Sequence, residues 1–190
     1  RTPDLKPVDL RAILSSVREL VAPSLPDVLH RIELDLPAAP VLARADATEV
    51  MQVILNLALN ARDALPGGKE GQIALSLQDA EGQMPVGAVL VGSLPTGPTA
   101  LIRVSDTGCG IAPGDFNQVF EPFYTRKGDT GTGLGLAVVA GIVADAGGAI
   151  GLSSQPGGGT LFEVWWPLQT VTSAFPQMSI AEAADTDVLA

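Results

Sequence analysis

The polar residues with the most informative spacing lie between Asp46 and Leu65, a stretch without internal Gly or Pro that is predicted to be helical. On a helical wheel, one narrow face is polar and nearly all other positions are apolar; the polar set is Glu49, Gln52, Asn56, Asn60 and Asp63. Such a helix is expected to be buried on most sides, the reverse of a surface helix. Asn56 and Asn60 are poor helix formers, and at i and i+4 they can offer two carbonyl oxygens to Mg²⁺ beside phosphates. A thin solvated helix edge is the alternative interpretation.

Two glycine-rich segments could bring backbone N–H groups close to a ligand. Residues 105–111 follow a predicted strand; Gly108 and Gly110 permit close approach, and the Asp106 carboxylate could accept a hydrogen bond from an exocyclic amine. Residues 131–136 lead directly into a predicted helix, whose free N–H groups and positive end favour phosphate. The second segment is neither a dinucleotide fingerprint, because no strand precedes it, nor a Walker loop, because no Lys-Ser or Lys-Thr follows its glycines.

A basic pair lies between these segments. Arg126 and Lys127 follow Phe120-Glu121-Pro122-Phe123, in which the two Phe side chains could attach a loop to the core. They are the only adjacent basic pair of an acidic chain, and no Lys or Arg follows them. Because they lie in a predicted loop beside a glycine-rich helix start, we predict that these two cations bind phosphate. A solvated loop is the alternative.

Composition excludes several functional classes. The chain has 190 residues, enough for one domain, and a formal net charge of −10, which argues against nucleic-acid binding. One Cys permits no internal disulfide and no cysteine-based zinc site, and there is one His. No apolar run is long enough to cross a membrane, so no membrane contact is expected of this fragment. The chain begins with Arg1, so we expect it to be part of a longer protein.

The remaining pattern predicts an α/β chain. Helices are expected after Pro7, where Val8, Ile13, Leu14, Val17, Leu20 and Val21 recur, and over residues 136–146. Strands are expected over 28–36, 73–77 and 100–104, with a hairpin formed by 150–153 and 161–166. Residues 79–98 are predicted to be a loop or a ragged hairpin, and residues after Pro167 a linker.

Together these segments resemble the catalytic, ATP-binding domain of bacterial sensor histidine kinases, and the resemblance covers roughly residues 8–168. Residues 56–61 are similar to the family's N box, 106–111 to its G1 box, 120–123 to its F box and 131–136 to its G2 box. Residues 157–160 are similar to its last glycine turn. Four boxes in the family's order make a specific signal.

The resemblance implies the Bergerat fold, an α/β two-layer sandwich whose mixed, mostly antiparallel sheet carries helices on one face. It implies ATP and Mg²⁺ as ligands, with Asn60 on the metal, Asn56 adjacent to the phosphates and Asp106 on the adenine amine. Residues 112–132 are expected to form a lid. The other expected ATP-binding residues are Gly108, Gly110, Ile111, Arg126, Lys127, Gly131, Thr132, Gly133, Leu134, Gly135, Leu136 and Thr160.

Two positions bear on the branch of the family. Many members have Lys or Arg three residues after the metal-binding Asn, where this chain has Asp63, so we assign the phosphate contact to Arg126 and Lys127. Relatives that hydrolyse ATP, and the related serine kinases, have a Glu general base four residues before that Asn, where this chain has Asn56. A carboxamide is no base at neutral pH, which favours phosphoryl transfer to imidazole.

His30 is in phase with the apolar face of its predicted strand and precedes Arg31, whereas the family's acceptor His lies on a long helix before an acid. We therefore expect a structural role for His30 and an acceptor on a separate dimerisation domain before Arg1. The expected divisions are an exit segment (1–7), the ATP-binding domain (8–168) and a linker (169–190).

The fragment is expected to be a cytoplasmic monomer that cannot phosphorylate itself. Its parent is expected to be a homodimer that acts on the receiver domain of a response regulator in two-component signal transduction. The alternatives are an ATPase of the gyrase or mismatch-repair type and a nucleotide-binding pseudokinase used for docking.

Overall fold

The computed structural model describes residues 2–80, 83–124 and 133–168. These residues form three helices and eight strands, with short 3₁₀ turns at Ala22–Ser24 and Pro113–Asp115. In chain order the elements are β1 (Lys6–Asp9), α1 (Leu10–Val21), β2 (His30–Asp35), β3 (Leu42–Ala45), α2 (Ala47–Ala64), β4 (Gly71–Asp79), β5 (Ala88–Gly92), β6 (Thr99–Asp106), α3 (Gly135–Asp145), β7 (Ala149–Ser154) and β8 (Thr160–Pro167).

Six strands form the main sheet in the order β2-β4-β6-β8-β7-β5, and β1 and β3 form a separate antiparallel pair. β2 pairs with β4 in parallel, whereas the other four pairs of the main sheet are antiparallel. This mixed, mostly antiparallel sheet confirms the predicted α/β fold class.

The helices cover one face of the main sheet. In β4, buried Ile73, Leu75 and Leu77 alternate with half-buried residues, the pattern of a strand with one face in the core. The same continuous core contains buried side chains from all three helices: Leu10, Leu14, Val17, Val50, Val53, Ile54, Leu57, Val139 and Val143. The expected arrangement of helices on one side is therefore confirmed.

Part of the opposite face is covered by the segment between β4 and β6. Leu101, Ala149 and Trp165 form a smaller buried cluster there. Beside it, the Glu163 carboxylate is 1% exposed and accepts hydrogen bonds from Arg103 Nε (3.0 Å) and the Val86 N–H (2.7 Å). A buried carboxylate needs a charged partner and hydrogen bonds in place of water. Arg103 and Glu163 are partners on neighbouring strands of the sheet, and the Val86 N–H bond is the contact that fastens the segment to it.

That segment is neither a loop nor a hairpin, which corrects the prediction for residues 79–98. Its apolar run forms the edge strand β5, which pairs with β7, with an irregularity between Val89 and Val91. Gly87 makes this pairing possible, because a Cβ there would overlap the Leu152 carbonyl.

The N-terminal region also differs from the prediction. Val8 lies in β1 and not in the first helix, because Asp9 caps α1 by accepting the Arg11 N–H at 3.1 Å. The expected boundary after residue 7 thus falls inside β1. Leu20 and Val28 are exposed, although their spacing assigns them to buried faces; a turn in which the His30 N–H bonds the Asp27 carbonyl places Val28 outside β2.

The first prediction concerns Glu163. Glu163→Ala removes the partner of Arg103, whose side chain is 24% exposed, and leaves the Val86 N–H without its acceptor. We expect a loss of about 1–3 kcal/mol in the free energy of unfolding, below the usual cost of breaking a buried ion pair because Arg103 reaches water. Urea denaturation measures this loss.

The matched control is Glu33→Ala, which removes the partner of Arg31 in an ion pair whose two side chains are more than half exposed. Such pairs contribute little, so we expect a loss of about 0–0.5 kcal/mol. Equal losses for the two variants would show that the buried contacts of Glu163 stabilise the fold no more than an exposed ion pair does.

Candidate functional site

The helix α2 carries the expected polar face. The Asp46 carboxylate accepts the Thr48 N–H at 2.9 Å and caps the helix, which ends before Leu65-Pro66. One side is buried, through Val50, Val53, Ile54, Leu57, Ala58 and Ala61. The polar residues lie on the more open side; Glu49, Asn56 and Asn60 are half-buried, and Gln52 and Asp63 are exposed. The buried surroundings and narrow polar face agree with the sequence.

Asn56 faces the beginning of α3. Its Nδ2 donates to the Gly135 carbonyl at 3.4 Å, and a Cβ on Gly135 would lie 3.7 Å from Asn56 Oδ1. The structure thus brings the first residue of the N box next to the helix start that the sequence assigns to phosphate. Leu134 precedes this helix and is partly exposed, and Leu136 is half-buried.

Asp63 is paired with its neighbour. Asp63 Oδ1 accepts the Arg62 Nε–H at 2.7 Å, and the same guanidinium donates to Ser24 Oγ at 3.2 Å. Asp63 occupies the position where many family members have Lys or Arg, and its carboxylate is neutralised by the neighbouring Arg62 guanidinium.

Asp106 ends β6 beside the C-terminal end of α2. Its Oδ1 accepts the Gly108 N–H at 2.7 Å, and the Cys109 N–H bonds the Ala64 carbonyl at 3.0 Å. Burial raises the pKa of Asp106 to about 6, against the opposing effect of the Gly108 and Thr160 N–H groups. Ionising the Asp106 carboxyl group therefore costs free energy, and the hydrogen bond from the Gly108 N–H fixes the orientation of the group.

The glycine loop after β6 packs against the turn between β7 and β8. Gly110 has φ +69° and Gly159 has φ +80°, a region that favours glycine. A Cβ on Gly110 would overlap the Gln155 carbonyl, and one on Gly159 would overlap the Asp106 carbonyl. The structure therefore brings the G1 box and the last glycine turn together.

One residue at this junction is absent from the sequence-based set. Ser154 Oγ accepts the Ile111 N–H at 2.8 Å, donates to the Gly159 carbonyl at 2.7 Å and lies 3.0 Å from Thr160 Oγ1. Thr160 is buried and opposite Asp106 in the β6–β8 register. The only sequence signal for Ser154 was a hydroxyl at a strand end directly before the Gln-Pro-Gly turn.

The F-box segment is only partly attached to the core. The Phe120 ring meets Phe162 edge to face at a centroid distance of 6.3 Å. Phe123 is 75% exposed, which corrects the expectation that both rings anchor the loop. Its φ is +69°, and its N–H bonds the Gly133 carbonyl at 2.9 Å, so backbone and not side-chain packing joins Phe123 to the start of the G2 region.

Four predicted phosphate-site residues, Arg126, Lys127, Gly131 and Thr132, lie outside the described residues. They stay predictions. The described part of the predicted lid is residues 112–124.

His30 lies in β2 and is 7% exposed. Its Nε2 is 2.9 Å from the Pro66 carbonyl, so Nε2 carries the proton, and Gly71 is packed against the imidazole ring. This burial agrees with the structural role predicted for His30.

Other candidate sites are few among residues 2–80, 83–124 and 133–168. Within these ranges no group of three or more His, Cys, Asp or Glu could hold a metal ion, and no helix is both long and apolar enough to span a bilayer. Two cavities, of about 600 and about 340 Å³, are lined by residues outside the glycine loops.

Comparison with known families gives one match that covers most of the chain. A model of the histidine kinase-, DNA gyrase B- and HSP90-like ATPases matches residues 45–170. The chain is 37% identical to the sensor kinase CckA of Brucella abortus over 162 residues, which are 84% of this chain and 17% of the relative. It is 35% identical to the sensor histidine kinase ZraS of Salmonella typhimurium over 166 residues, which are 86% of this chain and 31% of the relative. The chain thus spans less than a third of either relative.

Solved structures are similar over the same region. The mycobacterial sensor histidine kinase MprB gives a TM-score of 0.67 at 25% identity, over 86% of this chain and 97% of that chain. Full-length ShkA in complex with AMPPNP gives 0.68 at 30% identity, over 88% of this chain and 32% of that chain. The catalytic domain of the histidine kinase ThkA, at 23% identity and a TM-score of 0.68, supports the fold alone.

The second prediction follows from the raised pKa of Asp106. A carboxyl group whose pKa is higher in the folded than in the unfolded state stabilises the fold at low pH, and this contribution is lost as pH rises through about 6. When the pH is lowered from 7.5 to 5, the unfolding free energy of the wild type, relative to that of Asp106→Asn, should therefore increase by about 1 kcal/mol. Denaturant melts at the two pH values measure it.

Asn cannot titrate, so the variant removes this contribution while its Oδ1 can still accept the Gly108 N–H. A difference that stays constant with pH, or moves in favour of the variant at pH 5, would contradict a raised pKa at Asp106.

Proposed function

The chain belongs to the family of histidine kinase-, DNA gyrase B- and HSP90-like ATPases and is homologous to the catalytic domains of sensor histidine kinases; we propose that it binds Mg²⁺-ATP and donates the γ-phosphoryl group to a histidine on a separate domain. The observation that carries this proposal is the Asn56 carboxamide, which lies against the first turn of α3. The position where hydrolytic relatives carry a base thus holds a group that cannot take a proton.

The absence of a base at this position matters because water and imidazole differ as nucleophiles. Water must lose a proton as it attacks phosphorus, so a hydrolase needs a general base. A neutral imidazole attacks through an unprotonated ring nitrogen. The new N–P bond forms, the bond between the γ-phosphorus and the bridging oxygen breaks, ADP leaves, and the ring proton passes to solvent. Positioning and charge neutralisation are then sufficient.

Asp106 is proposed to bind the adenine amine. It lies at the end of β6, where Gly108 holds one carboxylate oxygen in place and the turn at Gly159 closes over its backbone carbonyl. A fixed acceptor at the bottom of a glycine-lined corner suits a base with an exocyclic N–H₂ group.

The donor chemistry fits a magnesium ion held partly by phosphate. Asn60 is one helical turn after Asn56 on the same face of α2 and is half-buried. Mg²⁺ is commonly bound through one or two protein oxygens together with substrate phosphates, so a site with a single carboxamide oxygen is consistent with the described residues. When bound, the ion would neutralise phosphate charge.

The N-terminus of α3 is proposed to lie against the phosphates. Its first helical residue is Gly135, and the N-cap residue is Leu134, whose side chain cannot accept a hydrogen bond. A helix N-terminus attracts anions through its N–H groups and dipole. Arg126 and Lys127 are proposed to contribute cations from the lid.

The proposed partners follow from the need for a phosphoryl acceptor outside this chain. His30 is buried against Pro66, so the phosphoryl acceptor is proposed to be a histidine on the dimerisation domain of a homodimeric parent, with a response-regulator receiver domain as the next acceptor. Because ATP is the donor, we place this reaction in the cytoplasm.

The third prediction tests the metal assignment. Nucleotide at 100 times its dissociation constant should add about 2.7 kcal/mol to stability, and a domain of this size gains roughly 2–4 °C per kcal/mol. Mg²⁺-ATP should therefore raise the melting temperature by about 5–10 °C. Asn60→Ala should remove the part of this shift that depends on Mg²⁺, as measured by melts with ATP and either Mg²⁺ or EDTA.

Gln52→Ala is the matched control, since Gln52 lies on the same face of α2 two turns earlier and is exposed. It should keep the full magnesium-dependent shift. If Asn60→Ala also keeps that shift, Asn60 does not bind the metal.

The fourth prediction tests whether this chain binds ATP while the phosphoryl acceptor lies on a separate domain. Incubated with ATP labelled at the γ position, this chain alone should bind nucleotide but acquire no acid-labile label and release no stoichiometric phosphate. The longer parent protein should become labelled on a histidine outside residues 1–190. Sustained phosphate release by the fragment would support the ATPase alternative, and label on His30 would contradict its structural role.

A further inference from the structure

We propose that Ser154 determines the base specificity of the site by orienting the Thr160 hydroxyl, so that Thr160 offers only acceptor lone pairs to the bound base. Ser154 is thus a positioning residue that selects adenine over guanine. This inference rests on the proposed nucleotide-binding function and adds a residue to it.

The hydrogen-bond valence of Ser154 fixes the direction of each bond. A serine hydroxyl has one donor hydrogen and two acceptor lone pairs. The Gly159 carbonyl, 2.7 Å away, can only accept, so it takes the Ser154 hydrogen. The Ile111 N–H, 2.8 Å away, can only donate and takes one lone pair. Thr160 Oγ1, 3.0 Å away, must therefore donate to the second lone pair.

Thr160 consequently has no hydrogen left for a ligand. Its single hydroxyl proton points to Ser154, and what remains on Oγ1 is acceptor capacity. Thr160 lies directly opposite Asp106 in the β6–β8 register, so the two side chains leave the sheet on the same face and their oxygen acceptors lie at the same corner of the site. Both oxygens require a donor from whatever occupies this corner, directly or through a water molecule.

This requirement distinguishes the two purines. Adenine has an amino group at position 6, which donates, whereas guanine has a carbonyl there, which accepts. An acceptor placed against two fixed acceptors leaves buried lone pairs unpaired, and sites of this kind discriminate strongly against the wrong partner. Without Ser154, the Thr160 hydroxyl could rotate and donate to the guanine carbonyl.

The test is calorimetric titration of the chain with Mg²⁺-ATP and Mg²⁺-GTP. Ser154→Ala should weaken ATP by about 3–10-fold, the range of one hydrogen bond, and should leave GTP unchanged, so that the ATP/GTP affinity ratio falls by about 3–10-fold. Ser154→Thr retains the hydroxyl and should restore the ratio. Ser153→Ala is the matched control, because Ser153 points to the other face of β7.

A double-mutant cycle separates specificity from general support of the fold. Thr160→Val removes the oriented hydroxyl and should itself lower the ratio by a similar factor. In that background, Ser154→Ala should change the ratio by less than twofold, because its effect acts through Thr160. An undiminished ratio in Ser154→Ala, or an equal further fall in the Thr160→Val background, would overturn the inference.

If Ser154→Ala does not fold, as judged by circular dichroism, Thr160→Val alone decides: an unchanged ratio overturns the inference. The proposed function fails separately. A wild-type chain that binds neither nucleotide would overturn both proposals, whereas ATP-selective binding that is insensitive to Ser154 and Thr160 would overturn only this one.

Discussion

Close backbone contacts at three glycines fix the geometry of the site. Gly108 lies against the carbonyl of Ala64, Gly110 against that of Gln155, and Gly159 against that of Asp106. Each contact excludes a Cβ, so the end of α2, the loop after β6 and the β7–β8 turn approach one another more closely than side chains would allow. The position of the Asp106 carboxylate depends on all three contacts, because Asp106 ends β6 where the end of α2, the loop after β6 and the β7–β8 turn come together.

The helix α2 connects this corner to the rest of the molecule. It packs on α1, α3, β4 and β6, and so most of its circumference is apolar. The side that remains open carries Asn56 and Asn60, with Asn56 against the start of α3. Because other elements pack against α2 on almost every side, its polar face is narrow and its composition is that of a core helix that also carries a few carboxamide side chains. The placement of the two Asn side chains is therefore set by the packing of the whole helical layer.

The sequence predicted the central elements well because their signals are local. The bounds of α2 follow from Asp46 and Pro66, and the Gly108, Gly110 and Gly159 positions from glycine spacing. It missed β1 and β3, which are four residues each and pair only with each other across the intervening helix and strand. It also missed β5, Glu163 and Ser154. The strand partner of β5 and the hydrogen-bond partners of Glu163 are distant in sequence, and the Ser154 hydroxyl joins two nearby residues to the distant Ile111. Arg126 and Lys127 lie outside the described residues.

The buried Asp106 also links ligand binding to proton balance. Burial raises the pKa of this carboxyl group to about 6, so part of the ligand-free population carries a proton on it at mildly acidic pH. A ligand amine requires the ionised form, so in the proposed complex each binding event expels a fraction of a proton into the buffer. The heat of binding near this pH then includes the heat with which the buffer takes up that proton. Buffers with different enthalpies of ionisation would report different apparent enthalpies for the same ligand.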